Sequence, residues 1–253
     1  MKQLTTLLFI SILLMNTNNT GASIQPLHLF VLAGQSNMSG VAPIPLTQES
    51  SSQLFTWSNG GWQIAQEPIQ ATGMAGPGMG FGLGLIQLVG RGYQVGLIPC
   101  AVPGSSIEQW QRGQAIYDDC VSKTLAALAT QPAGTKLSGV LFAQGESNTF
   151  TQAQADGWVN SALLFAGSFR IDTGELGVPF LYAQLGRDPQ DNNHLYWSYL
   201  QNLQPQIMAE TRPYIRMVST KDLPVTGTHF ADAETYTILG RRFAAIYFVN
   251  FSQ

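Results

Sequence analysis

The stretch LHLFVLAGQSNMSG, residues 27–40, decides how this chain is read. Its apolar run from Leu27 to Ala33 breaks at Gly34 and presents Ser36 in a polar, glycine-bounded turn. A short apolar run closed by such a turn reads as a buried strand. In open α/β sheets, ligands bind beyond the C-terminal ends of the strands. Ser36 therefore stands where chemistry is expected, and it acts as a nucleophile only if a base reaches it. The segment GTHF, residues 227–230, offers that base as His229, just before a final helical pattern.

Outward from this strand, short β-rich runs alternate with longer helical patterns. Strands are predicted at 27–33, 94–99, 137–143, 178–184 and 214–218, and helices at 81–89, 115–129, 152–169, 194–209 and 233–248. The last helix carries Tyr236, Leu239, Phe243 and Ile246 at spacings of three and four, which makes one apolar face. Such alternation predicts an α/β fold: a central parallel sheet of about five strands with helices on both faces. Right-handed crossovers then bring every strand's C-terminal end to one rim. Residues 39–80 differ, being rich in Gly, Pro, Ser and Gln. Loops of this length are functional or disordered, and the interleaved Phe55, Trp57 and Trp62 favour an ordered insertion. A small hairpin around SNGG, residues 58–61, is expected to cover part of the site.

Composition excludes several classes of function. Of 253 residues, 45% are hydrophobic, enough for one large core, and only 11% are charged. The net charge of −3 and the lack of a basic run argue against a nucleic-acid partner. Lys2, the apolar run from Leu7 to Met15 and the small residues Thr20 and Ala22 match a secretory signal. Cleavage is expected after Ala22, leaving one domain over 23–253 with no membrane attachment. The run is too short to span a bilayer, which takes about 20 apolar residues. Secretion makes a bond between Cys100 and Cys120 permissible, but the expected state is two buried free thiols. Two cysteines and three histidines show no metal-ligand spacing, so neither a metal nor another cofactor is expected.

Three histidines allow the base to be chosen by elimination. His28 lies eight residues back along the strand from Ser36, up to about 26 Å away, and reads as structural. His194, in DNNHLYW, sits at a helix start where polar residues cap and face solvent. His229 follows the last strand on the rim of Ser36. A carboxylate orienting the imidazole would complete the set, and two acids compete for that role. Glu146 lies three residues past the strand 137–143, and Asp222 lies seven before His229. For the oxyanion, Gly104 in CAVPGSSIEQW lets a backbone N–H approach closely. Gln144 offers an amide at a strand end, and the N–H of Ser36 completes three donors. No G-x-S-x-G surrounds Ser36, and neither a G-x-G-x-x-G fingerprint nor a P-loop is present.

Five segments together resemble the SGNH hydrolase superfamily, in its branch of carbohydrate esterase family 6 and sialate O-acetylesterase-like domains. They are AGQSNMSG (33–40), GPGMGF (76–81), VGLIPCAVPGSSIEQWQRG (95–113), VLFAQGESNT (140–149) and DLPVTGTHF (222–230). The resemblance implies a three-layer flavodoxin-like fold and removal of O-acetyl groups from carbohydrates. It also implies Ser36 as nucleophile, His229 as base, and Ser36, Gly104 and Gln144 as oxyanion donors. The family often places an acid three residues before the histidine, where this chain has Thr226. Glu146 of the QGE motif is then the implied substitute. The family also tends to have glycine where this chain has Pro103, which removes a backbone N–H.

Trp110 and the Trp57/Trp62 loop offer flat surface for a sugar ring, or else pack beneath the insertion. Two other functions fit the same scaffold: a lipase or thioesterase, and a carbohydrate-binding protein that has lost catalysis. Small polar residues near the site (Asn37, Ser105, Asn148) favour a short acyl group.

Overall fold

Alternation in β1 (His28–Gly34) sends Leu29, Val31 and Ala33 to one side of a sheet and Phe30 and Leu32 to the other. Both sides are covered, so the strand reads as a nearly continuous apolar run. These features are those of a computed structural model, which describes residues 26–90, 92–208 and 212–252. The leader expected at 1–22 lies outside the described residues.

The chain continues through a single helical turn, α1 (Ser36–Ser39), into the hairpin β2 (Leu54–Ser58) and β3 (Gly61–Ile64). Then come α2 (Pro77–Val89), β4 (Val95–Pro99), α3 (Ala115–Ala129), β5 (Leu137–Ala143) and α4 (Gln152–Asp172). The chain proceeds through β6 (Phe180–Ala183), α5 (Trp197–Leu203) and β7 (Ile215–Val218). A two-stranded ribbon, β8 (Val225–Thr226) and β9 (His229–Phe230), leads into the terminal helix α6 (Ala233–Phe251).

The sheet has seven strands in the order β3-β2-β4-β1-β5-β6-β7, with β3 alone antiparallel to its neighbour. All five expected strands are present and parallel. The SNGG hairpin adds two more, because β2 pairs with β4 and extends the sheet edge. The insertion is thus part of the central layer rather than a cover over Ser36. Helices α3, α4 and α5 pack on one face with Tyr117, Phe165 and Trp197. Helices α2 and α6 pack on the other with Phe81, Leu85, Tyr236 and Phe243. Gly80 and Gly240 allow α2 and α6 to approach closely, since a Cβ at either would overlap backbone of the facing helix.

Two further expectations are corrected. The helix expected over 194–209 is shorter, because an Asp191-centred turn holds Asn193 and His194 outside it and a 3₁₀ turn with Pro205 in it follows from Gln204. Cys100 and Cys120 are disulfide-bonded, not free. The end of β4 and the second turn of α3 share one buried cluster. That packing sets their Cα atoms 5.3 Å apart, within bonding range.

Candidate active site

Strands β4, β1 and β5 lie side by side at the sheet centre, where the winding reverses direction. That reversal is the switch point at which α/β sheets open a crevice. At the last residue of β1, Gly34 adopts φ +128°, and a Cβ there would collide with the carbonyl of Ala143. Gln35 N–H still bonds Ala143 O at 2.8 Å, so the ladder holds the strand end up to the residue before Ser36. From the far end of the chain, the β8–β9 ribbon pairs His229 with Thr226 and carries the imidazole to the same rim. His229 Nε2 lies 3.1 Å from Ser36 Oγ, within proton-transfer reach. Burial holds the His229 imidazole below its ordinary pKa, and its Nδ1 has no hydrogen-bond partner among the described residues.

Neither acid considered from sequence touches that nitrogen. Asp222 is held in a bidentate pair by Arg242 at 2.7 and 2.5 Å, which lowers its pKa to about 2. Glu146 is buried and accepts a hydrogen bond from Asn37 Nδ2. The expected direct contact between Glu146 and His229 is thus replaced by an indirect one. Asn37 Nδ2 also donates to Thr228 O at 2.9 Å, while Asn37 Oδ1 accepts from Phe230 N–H at 3.2 Å and Tyr236 Oη at 2.8 Å. One side chain therefore grips the backbone on both sides of His229. Desolvation raises the Glu146 pKa, opposed by the Asn37 hydrogen bond, and its Oε2 has no partner among the described residues.

Gln144, expected among the oxyanion donors, has its amide engaged within the protein. Its Nε2 lies 2.7 Å from Asn148 Oδ1 and 3.2 Å from both Gln35 Oε1 and Ser105 O. Its Oε1 accepts from Trp158 Nε1 at 2.5 Å. Two amide hydrogens already face three acceptors, so nothing remains for a ligand. Gln35 Oε1 is the hub of this region, also accepting from Gly145 N–H at 3.4 Å and Ser147 N–H at 3.2 Å. Asn148 is equally committed, donating to Glu108 and accepting from Ile107 N–H.

The backbone does leave donors free. Between 102 and 105, Val102 N–H bonds Gly34 O, Ser105 N–H bonds Val102 O, and Pro103 has none. Gly104 N–H therefore stands unpaired among the described residues, at φ +72° and on the exposed rim. Ser36 N–H opens a helical turn and likewise has no partner there.

His28 stacks on Tyr93 at 3.8 Å, at the start of β1 and away from Ser36. His194 does not face solvent as expected. It bonds Thr149 Oγ1 at 2.6 Å, and its side chain is only 12% exposed. Trp110 is fully buried against Phe142 and Phe165 and offers no sugar platform. Sequence reasoning missed Asn37 as a clamp and Gln35 as a hub. The available signal was two amides flanking the serine in the turn that closes an apolar strand.

A mostly parallel sheet here brings a serine and a histidine into contact at its carboxyl rim, an arrangement that serine hydrolases use. The chain belongs to the family described as carbohydrate esterase, sialic acid-specific acetylesterase, whose profile matches residues 26–249. It is 25% identical over 252 residues to a probable carbohydrate esterase of Arabidopsis thaliana, covering 90% of this chain and 93% of that one. The solved structure of an Arabidopsis thaliana protein superposes with a TM-score of 0.78 at 24% identity, over 90% of this chain and all of the other. A carbohydrate acetylesterase from Xanthomonas citri superposes with a TM-score of 0.63 at 22% identity, over 89% of this chain and 57% of that one. The protein is an esterase of the carbohydrate class.

Proposed function

We propose that this protein is a serine esterase that removes O-acetyl groups from carbohydrates. The observation that carries the reading is the 3.1 Å contact between Ser36 Oγ and His229 Nε2, set beside two unpaired backbone N–H groups. His229 Nε2 takes the Ser36 proton as Oγ bonds to the acetyl carbonyl carbon. Negative charge then develops on the carbonyl oxygen, which the N–H groups of Ser36 and Gly104 receive. The C–O bond to the sugar breaks, and the sugar oxygen leaves with the proton from His229. Water next attacks the acetyl-serine, His229 accepts its proton, and acetate departs as Ser36 regains a hydrogen.

Among the described residues no acid touches His229, so Asn37 takes the orienting task through the backbone, with Glu146 Oε1 fixing the Asn37 amide. This makes the catalytic set a Ser36–His229 pair, with Asn37 and Glu146 as positioning residues. The Cys100–Cys120 bond and the apolar leader support an oxidising compartment outside the cytosol. Acetate release from acetylated glycans tests the reading: wild type is expected to release acetate, and Ser36→Ala and His229→Ala are not. Undiminished release by Ser36→Ala would overturn it. Acetyl esters are expected to outpace octanoyl esters, and the reverse would favour a lipase on this scaffold.

A further inference from the structure

A cavity of about 540 Å³ opens beside the Ser36 rim between the C-terminal ends of β2 and β4, a segment at 68–71, and the first turns of α3. It lies outside the catalytic set, since neither Ser36 nor His229 lines it. We propose that it binds neutral sugar units of the chain flanking the acetylated residue, so that the enzyme reads an oligosaccharide rather than a lone monosaccharide. The proposal rests on the esterase reading above and adds a second site to it.

Position connects the two sites. Cys100 and Val102, both in the cavity wall, donate their N–H groups to Leu32 O at 3.0 Å and Gly34 O at 2.9 Å. Gln70, also in the lining, reaches the same Leu32 O with Nε2 at 3.3 Å. The cavity is thus tied to the last residues of β1 before Ser36, and Gly104 lies two residues beyond Val102 on the same loop. A polymer with its acetyl group at Ser36 extends over Gly104 and Val102 into this space.

The lining specifies a neutral polar ligand. Lys123 and Asp119 form a 3.4 Å ion pair, and Lys123 Nζ also donates to Pro99 O at 3.0 Å, so no spare cation faces the cavity from this pair. Gln63 and Gln70 contribute amides, which suit hydroxyl groups as both donors and acceptors. Trp57 adds a largely buried aromatic surface, held edge-on by Trp62 at 5.2 Å. Independently, Thr56 lines the cavity with an Oγ1 that is buried and has no partner among the described residues. A buried hydroxyl without a partner is costly, and a sugar hydroxyl would supply one. The volume also falls within the usual range for ligand sites, about 300–1,000 Å³.

Two variants test this. Gln63→Ala removes an exposed side chain from the edge strand, and Thr56→Val replaces the unpaired hydroxyl with a methyl of similar shape. Each is expected to raise KM for acetylated xylotetraose about fivefold, the loss of about one hydrogen bond. Turnover of p-nitrophenyl acetate should stay within about twofold, since that ester is too small to reach the cavity. Thr56→Val should also raise the Tm of the free protein. In a Ser36→Ala background, calorimetry should detect unacetylated xylotetraose or cellotetraose, with sialyllactose weaker and with binding reduced by either variant. Unchanged KM in both variants, equal losses on both esters, absence of tetrasaccharide binding, or preference for sialyllactose would each overturn the subsite. Failure of the esterase reading is distinguishable, because it shows as p-nitrophenyl acetate turnover that is absent or independent of Ser36.

Discussion

Two sides of Ser36 are built on opposite principles. Toward β5, Gln35, Gln144, Asn148 and Trp158 form a buried network in which both Gln144 amide atoms and both Asn148 amide atoms are engaged. Toward β9, the His229 ring has one described partner, the Ser36 hydroxyl. A saturated polar network inside a protein is rigid and costly to disturb. A catalytic imidazole must instead accept a proton and release it within one turnover. The saturated side holds the loop ends that present backbone N–H groups, and in the proposed mechanism the sparse side carries the proton. Asn37 joins the two, gripping the His229 backbone while Glu146 holds its amide.

The largest effect belongs to the sparse side. Ser36→Ala and His229→Ala should each lower kcat by about 10⁴–10⁶-fold with little change in Tm, as for other nucleophile–base pairs. Esterase assays paired with thermal melts check both quantities. Asn37→Ala comes next, because it releases the backbone on both sides of His229. A displacement of about 1 Å at the base costs about 10²-fold in kcat, and four lost hydrogen bonds cost about 2–4 kcal/mol of stability. Retained activity there would break the link between the two sides.

Gln144→Leu should behave oppositely to a catalytic lesion. It strips partners from Trp158, Asn148 and Ser105, so urea unfolding should report a loss of about 3 kcal/mol. Measured well below Tm, kcat should fall less than about tenfold, whereas an oxyanion donor would cost about 10²–10³-fold. Smaller again is Glu146→Gln, which keeps an oxygen for Asn37 and should leave kcat within about threefold. A carboxylate acting directly on the imidazole would instead cost about 10⁴-fold when made an amide. The mildest signature is the pH profile. His229 works as the neutral imidazole, and burial lowers its pKa, so kcat/KM should rise with pH through an inflection below the ordinary value of about 6.5. An inflection above 7 would place a carboxylate on Nδ1.

These contrasts track what was legible in the chain. Runs of apolar residues located the five parallel strands, and α3 spans the residues expected of it, because periodicity is a local property. Elimination among three histidines singled out His229 for the same reason: distance along a strand is readable. Partners that form across the fold were not. Trp158 reaches Gln144 from the second turn of α4, and Arg242 claims Asp222 from α6. Cys120 meets Cys100 only after α3 folds back on β4. Each of these three pairings removed an option that the sequence had left open. Asn37 was visible only as a small polar neighbour of the nucleophile, since its role depends on backbone 191 positions away in sequence.

The most direct test of the account is mass spectrometric mapping of protein quenched during turnover of an acetyl ester. An acetyl group is predicted on Ser36 in wild type, and none should form in His229→Ala on the same timescale. Acetyl on a different residue, or rapid hydrolysis with Ser36 never modified, would contradict the assignment of this hydroxyl and imidazole as the reacting pair.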